Sequence, residues 1–256
     1  MKINNPYFSI ITVVKNDIKN IYKTIKSIKE QSFKNFEYII IDGKSSDGTT
    51  QQIRKHKKYI DLIISEKDKG IYFAMNKGAK LAKGEILVFV NSGDILNKDA
   101  LKKIYKKFLQ NKKFDFIFGT VMRHYKTDSI LKSGLNLNKL KYNFDFATSH
   151  STGFFLKRKI FIKHGMFNTK YKISADYDLY IRLILKNKIS GSSTNKNDLI
   201  GTVASGGYSS KVPFFQHLKE ESKIRLNNNQ NFFLILIIFF NAIFKFIYKK
   251  TFNKWV

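Results

Sequence analysis

Four carboxylates stand where apolar runs end or a polar helix begins: Asp42, Asp68, Asp94 and Asp176. Asp94 closes ILVFVNSGD, residues 86–94, in which an apolar run breaks abruptly into Asn91, Ser92, Gly93 and Asp94. That pattern reads as a buried strand delivering small polar groups and one carboxylate to a sheet edge, where open α/β sheets bind ligands. A hard cation bridging a diphosphate takes a carboxylate oxygen and keeps several waters, and Asp94 can supply that oxygen. The same residue can instead cap the helix that follows near Lys98. Asp42 ends FEYIIID and is followed by GKSSDGT. It can accept from a ribose hydroxyl or a uracil N–H, or shape a strand-to-helix turn. Asp68 precedes Gly70 and a helix carrying Asn76 and Lys77. Gly70 permits a tight backbone before a helix N-terminus suited to anions, with Asp68 as an ordinary cap in the plainer reading. Asp176 opens ADYDLYIRL and suits a general base for an acceptor hydroxyl. Acidic residues also favour a helix N-terminus, and Asp178 with Arg182 forms an i, i+4 pair. His150 and the loop Gly206–Ser210 are further candidates to line a site.

The elements around these residues follow from periodicity. Apolar runs at 7–14, 36–42, 60–64 and 86–90 predict four buried strands. Helical spacing predicts helices over Ile18 to Glu30, after the Ser45–Gly48 turn toward His56, over 72–82 and over 98–110. Strands alternating with helices predict an α/β fold with a mostly parallel sheet and right-handed crossovers. After Phe114 the rhythm changes. Residues 114–122 and 130–137 predict antiparallel strands or a hairpin, 153–157 another strand, 174–188 a helix, 189–198 a loop, and 213–226 a helix opening on Pro213.

The chain has 256 residues, 43% of them hydrophobic, and no cysteine. That supports a real core, excludes disulfides and thiolate metal sites, and fits a reducing compartment. The N-terminus holds no apolar signal-peptide core, so no export is expected. The net charge is +28, from 47 basic and 19 acidic residues. Nucleic-acid binding, attraction to an anionic membrane or phosphorylated substrates, and a plain lysine-rich bias all fit this charge. Lysines spread along the whole chain, with no RNP-type or zinc-finger pattern, argue against nucleic acid.

Residues 232–248 are strongly apolar, yet Asn241 and Lys245 interrupt them. The unbroken run is too short to span a bilayer. Asn241, Lys245 and Lys249 share one helix face, the pattern of an interfacial helix on anionic headgroups or of a helix packed on protein.

In order and spacing, SIITVVKN, IIIDGKSSDGT, DKGIYFAMNKG, AKGEILVFVNSGD and ISADYDLYIRL resemble the family 2 glycosyltransferases, inverting enzymes of the GT-A fold. The resemblance covers about residues 7–187, with GGYSS as an extension, and is nearest to a bacterial surface-polysaccharide branch. It implies a GT-A domain over 1–211, with a nucleotide-binding half of about 1–112 and an acceptor half of about 113–211. A helical, membrane-associating segment follows over 212–256.

By the same resemblance, Thr12, Val14 and Asn16 lie near the nucleotide, Asp42 contacts uracil, and Asp68 is an acidic position near the nucleotide. Asn76 and Lys77 lie near the diphosphate, Asn91, Ser92 and Gly93 contact the donor, and Asp94 holds Mn2+ or Mg2+. Asn91 and Gly93 stand where acidic residues are common in the family. Asp176 is the catalytic base, with His150, Asp178 and Arg182 as candidate acceptor-site residues. The implied reaction is displacement at the anomeric carbon of a UDP-sugar by a hydroxyl of a lipid-linked or oligosaccharide acceptor. The product would enter lipopolysaccharide, O-antigen or capsule, at the inner face of the cytoplasmic membrane. No oligomeric state is implied, and the alternative is a non-catalytic binding or scaffold subunit of the same fold.

Overall fold

A computed structural model describes residues 5–125, 128–142, 151–207 and 211–252. The first apolar run forms strand β1 (Phe8–Val14), buried along its whole length. Beside it lie β2 (Phe36–Asp42), then β3 (Leu62–Ser65) beyond β2, and β4 (Ile86–Phe89) on the other flank of β1, all parallel. Helices α1 (Ile21–Lys29), α2 (Thr49–Lys55) and α3 (Ile71–Leu81) make the crossovers. Successive residues of β1 feed opposite faces. Ile10 packs with Ile21 and Ile25 of α1, while Ile11 packs with Met75 and Ala79 of α3. Gly78 lets α3 lie close on the sheet, since a Cβ there would sit 2.6 Å from Ile11 Cγ2.

The chain moves outward from β1 to β3, then returns through α3 to β4. The strand order therefore reverses between β1 and β4, the place where such sheets open a ligand crevice. Register brings the strand ends to one edge: Val14 pairs with Asp42, and Asp42 with Ser65.

Beyond β4 come β5 (Ile95–Leu96), α4 (Ala100–Gln110), β6 (Phe116–Phe118), β7 (Thr120–His124), β8 (Ser129–Lys132) and α5 (Leu137–Tyr142). Then follow β9 (Phe154–Lys157), α6 (Arg158–Lys163), α7 (Ala175–Tyr180), β10 (Gly191–Ser193) and β11 (Leu199–Val203). The large sheet has the order β10-β6-β9-β4-β1-β2-β3, and β9 alone runs against the rest. The second sheet is β5-β11-β7-β8, with β11 antiparallel to β5 and parallel to β7.

Three details depart from the sequence expectation. The run 114–122 is two strands in two sheets, separated at Gly119, where a Cβ would meet Ile200 at 2.7 Å. The expected loop 189–198 contains β10, whose Gly191 passes over the Phe116 ring so closely that no side chain fits. The expected helix 174–188 is α-helical only to Tyr180 and then widens into a π-helical stretch, Ile181–Lys186.

The C-terminus is a helical hairpin of α8 (Phe214–Asn227) and α9 (Phe232–Phe252), closed by Phe214 stacked on Phe246 at 4.2 Å. Arg225 of α8 is fully buried, donates to Leu140 O at 2.9 Å and Lys141 O at 3.0 Å, and lies over the Tyr177 ring. Ile235 and Ile238 turn α9 inward. Phe233, Ile237, Phe240, Phe244, Ile247 and Tyr248 are all more than half exposed, and at 100° per residue they share roughly a 100° arc. No helix among the described residues is long and apolar enough to cross a membrane.

Candidate active site

The crevice edge is formed by the residues just after β1, β2, β3 and β4. Asn16, in a left-handed conformation (φ 52°), ties the first loop to the second: Ser46 N donates to its Oδ1 at 2.9 Å, and its own N donates to Ser45 Oγ at 2.8 Å. Ser92 Oγ donates to Asp17 Oδ2 at 2.7 Å, and Gly93 N to Thr24 Oγ1 at 2.9 Å. Gly93 has φ +94°, which a side chain would strain.

Asp176 is half-buried at the start of α7, against the first turn of α3. Tyr72 OH lies 3.2 Å from its Oδ1 and 2.8 Å from Ile173 O, and Tyr177 N donates to the same oxygen at 2.9 Å. Burial first, and the Asp176 charge second, push the Tyr72 hydroxyl well above the usual tyrosine range, so it stays a donor. Tyr180 shifts the same way for the same two reasons. One edge of the carboxylate is thus oriented by fixed donors.

Lys77 bridges Asp68 (2.5 Å) and Glu66 (2.6 Å). Burial pulls its pKa down, but the two carboxylates outweigh this and leave it raised. Asp68 spends only Oδ1 on this bridge; its Oδ2 is buried with no donor among the described residues. Asn91 gives Nδ2 to Ser151 Oγ at 3.3 Å, and its Oδ1 is likewise buried without a donor. Buried acceptors left open are uncommon in folded proteins. These two belong to loops on the crevice edge.

Several expected site residues are employed elsewhere. Thr12 is fully buried and its hydroxyl ties β1 to β4, donating to Val90 O at 2.7 Å and lying 3.0 Å from Tyr38 OH. Val14 is a core residue. Asp42, expected to contact uracil, is fully buried and accepts from Ser45 Oγ, Thr50 Oγ1 and Ser65 Oγ at 2.5–2.7 Å, so it organises the β2 loop. Asn76 is held by the Phe167 backbone, giving Nδ2 to its O at 2.8 Å and accepting from its N at 3.1 Å. This fastens α3 to the segment before α7 through one Nδ2 proton and one Oδ1 lone pair. Asp178 is 2% exposed and bonded to Arg182 Nε at 2.7 Å and Asn228 Nδ2 at 3.1 Å. The Arg182 guanidinium also takes the carbonyls of His164 and Met166. Asp178 and Arg182 therefore form an internal tie. His150 and Tyr208–Ser210 lie outside the described residues.

Asp94, expected to hold the cation, is engaged within the fold. It is 4% exposed, with Oδ2 taking Thr152 Oγ1 at 2.5 Å and Oδ1 taking Ala204 N at 2.9 Å. Both oxygens serve a junction between the β4 loop, the turn before β9 and the end of β11. No group of three His, Cys, Asp or Glu able to hold a metal occurs among the described residues. The donor set at Asp94, as placed, does not fit a resident cation.

Sequence reasoning missed Tyr72, although it lies in the quoted DKGIYFAMNKG. It also missed Asp17, whose position after Asn16 carries no distinguishing signal.

Comparison with known proteins agrees with this architecture. A relative from Mycobacterium bovis, named as a PGL/p-HBAD biosynthesis glycosyltransferase, is 28% identical over 181 residues, covering 69% of each chain. The structure of S. aureus TarS 1-349 in complex with UDP superposes with a TM-score of 0.70 at 20% identity, over 97% of this chain and 75% of that one. The Pyrobaculum calidifontis mannosyltransferase PcManGT, in complex with GDP-Man and Mn2+, gives 0.63 at 18%, over 98% and 72%. These likenesses show the fold, a mostly parallel α/β sheet of GT-A type with a smaller sheet beside it. The family model for glycosyl transferase family 2 matches residues 9–172, and with that match spanning well over half of its length, the chain belongs to this family.

Proposed function

We propose that the chain is an inverting glycosyltransferase that moves a sugar from a UDP-sugar to an acceptor hydroxyl, with Asp176 as the general base. The observation that carries this reading is the half-buried Asp176 carboxylate at the crevice edge, oriented through one oxygen by Tyr72 and the Tyr177 amide. A hydroxyl hydrogen-bonded to Asp176 loses its proton as its oxygen attacks the anomeric carbon, and the bond to the UDP oxygen breaks on the opposite face. Holding both substrates in one crevice supplies the proximity term. The open acceptors Asp68 Oδ2 and Asn91 Oδ1 suit hydroxyl or N–H donors of the nucleotide-sugar. Lys15 and Lys44, exposed directly after β1 and β2, bring positive charge to the rim that a departing diphosphate needs. Asp94 takes no part in these steps.

On the acceptor side, the reading is a lipid-linked or oligosaccharide hydroxyl of a bacterial surface polysaccharide, met at the inner face of the membrane. The apolar stripe on α9 and the charge of +28 support it. Such a stripe with basic residues beside it suits the boundary of an anionic bilayer. The M. bovis relative is also named for a biosynthesis glycosyltransferase.

A thermal-shift screen over UDP- and GDP-sugars, followed by turnover of the hits, tests the donor. A bound donor raises the apparent melting temperature by mass action. Asp176→Asn should keep that shift and lower turnover by about 10²–10⁴-fold. If wild-type protein binds donors but turns none over with any acceptor, the scaffold reading replaces this one.

A further inference from the structure

The segment Lys172–Ser174, immediately before the α7 helix that carries Asp176, has an unusual anchor. Ser174 makes no side-chain cap for α7. Instead Glu220, some 46 to 48 residues further on, accepts three consecutive backbone N–H groups. Ile173 and Ser174 donate to Oε1 at 2.8 and 2.7 Å, and Lys172 to Oε2 at 3.1 Å. Charge-assisted bonds of this kind are about twice as strong as neutral ones. Ile173 is gripped from both sides, its N–H by Glu220 and its carbonyl by Tyr72 OH, the same hydroxyl that faces Asp176. Glu220 itself is fixed, because α8 is pinned by the buried Arg225 to the Leu140 and Lys141 carbonyls and by Asn228 to Asp178.

We infer that Glu220 is a positioning residue for the transfer reaction. From outside the matched family stretch it clamps the 172–174 backbone and so sets where Asp176 sits and how Tyr72 shares its proton. The inference rests on Asp176 being the base. Without the carboxylate, three amides in this turn lose their acceptor, Ile173 is free to pull away from Tyr72, and the base helix starts from a loose turn. A displacement of about 1 Å at a catalytic group costs on the order of 10²-fold in rate. Donor binding does not pass through this turn and should be untouched.

The test compares wild type, Glu220→Ala, Glu220→Gln and Asp176→Ala in the full chain. Hydrogen exchange, which needs no substrate, should quicken at Ile173 and Ser174 by at least tenfold in Glu220→Ala. It should recover largely in Glu220→Gln, whose remaining carbonyl can keep the two Oε1 bonds. Unchanged exchange overturns the clamp. With UDP-glucose and UDP-N-acetylglucosamine as donor probes, kcat should fall 10- to 100-fold in Glu220→Ala with donor KM and UDP affinity within twofold of wild type. Glu220→Gln should return kcat to within about fivefold of wild type. In the Asp176→Ala background, adding Glu220→Ala should cost nothing further, as expected of residues acting as one unit. A kcat unmoved by Glu220→Ala, an equal loss in both backgrounds, or a parallel fall in kcat and donor affinity overturns the inference. Full turnover in Asp176→Ala overturns the base assignment instead, and leaves the exchange result standing. Should Glu220→Ala fail to fold, Glu220→Asp, which keeps the charge but retracts it by one methylene, takes its place under the same criteria.

Discussion

At the scale of single residues, the same side-chain type plays opposite parts according to what surrounds it. Among the described residues, Asp176 stays half-buried with its hydrogen bonds on one oxygen, while Asp42 and Asp94 are engaged through both oxygens within the fold. Asp94→Ala leaves Thr152 Oγ1 and Ala204 N without their acceptor. The expected cost is about 3 kcal/mol of stability, read as a lower denaturation midpoint, with Mn2+ affinity by calorimetry unchanged from wild type. Asn76→Ala should likewise destabilise, by about 2 kcal/mol for its two backbone bonds, and leave the donor-induced thermal shift intact. His164 gives a pH signature. Burial first, then the Lys163 and Arg182 charges, hold its pKa below the ordinary 6.5. The unfolded chain therefore takes up this proton first, so its contribution is fully present above about pH 6.5 and declines as pH falls through that value. A melting temperature that drops between pH 7 and 5 in wild type, but drops less in His164→Asn, is the expected result. The ties of Asp94 to Thr152 and Ala204 and of Asn76 to Phe167 could not be read from sequence, because they join residues 58 to 110 positions apart. Asp176 is singled out because its helix opening, spacing and neighbours fit a known pattern, and its role as base is the proposal that Asp176→Asn tests. Glu220 sits in a run, KEES, that reads as a solvated helix face.

At the scale of elements, legibility followed hydrophobic periodicity. β1 to β4 and α1 to α4 stand where apolar runs and helical spacing put them, within a few residues. β10 was hidden because Gly191–Ser193 has no apolar run at all; it becomes a strand only because β6 offers an edge over the Phe116 ring. The switch from α to π geometry after Tyr180 has no sequence signal either, and such widened turns are frequent at functional sites. The expectation for α9 is an interfacial helix or one packed on protein, with Asn241, Lys245 and Lys249 on one face; the described side chains there are Asn241 and Lys245. Both are exposed, but the dominant outward feature is the apolar stripe beside them. The triple change Phe233→Ser, Phe240→Ser and Phe244→Ser should leave donor binding intact and lower partitioning onto vesicles containing phosphatidylglycerol at least tenfold, measured by co-sedimentation. Equal partitioning of the two proteins would remove α9 from the membrane reading.

At the scale of the whole molecule, charge and layout combine. A chain at +28 is drawn to anionic surfaces through a field that salt screens within about 10 Å at 0.1 M. Raising salt from 50 to 500 mM should weaken vesicle binding steeply while leaving the part owed to the Phe stripe, so neutral phosphatidylcholine vesicles should show a smaller and flatter dependence. The layout also has a consequence for engineering. The family match ends at residue 172, four residues short of Asp176, the proposed base. Helix α7 with Asp176, Glu220 of α8 and the apolar stripe of α9 all lie on one contiguous stretch from 172 to 252, while the loops after β1 to β4 come from the first half of the chain. Among the described residues, Tyr72 is the one from that half that hydrogen-bonds to Asp176. A chimera that joins this C-terminal stretch to another family member's donor half would carry the proposed proton acceptor and the apolar stripe together, provided that the incoming half brings a tyrosine to the position of Tyr72 and strand edges that β10 and β11 can pair with.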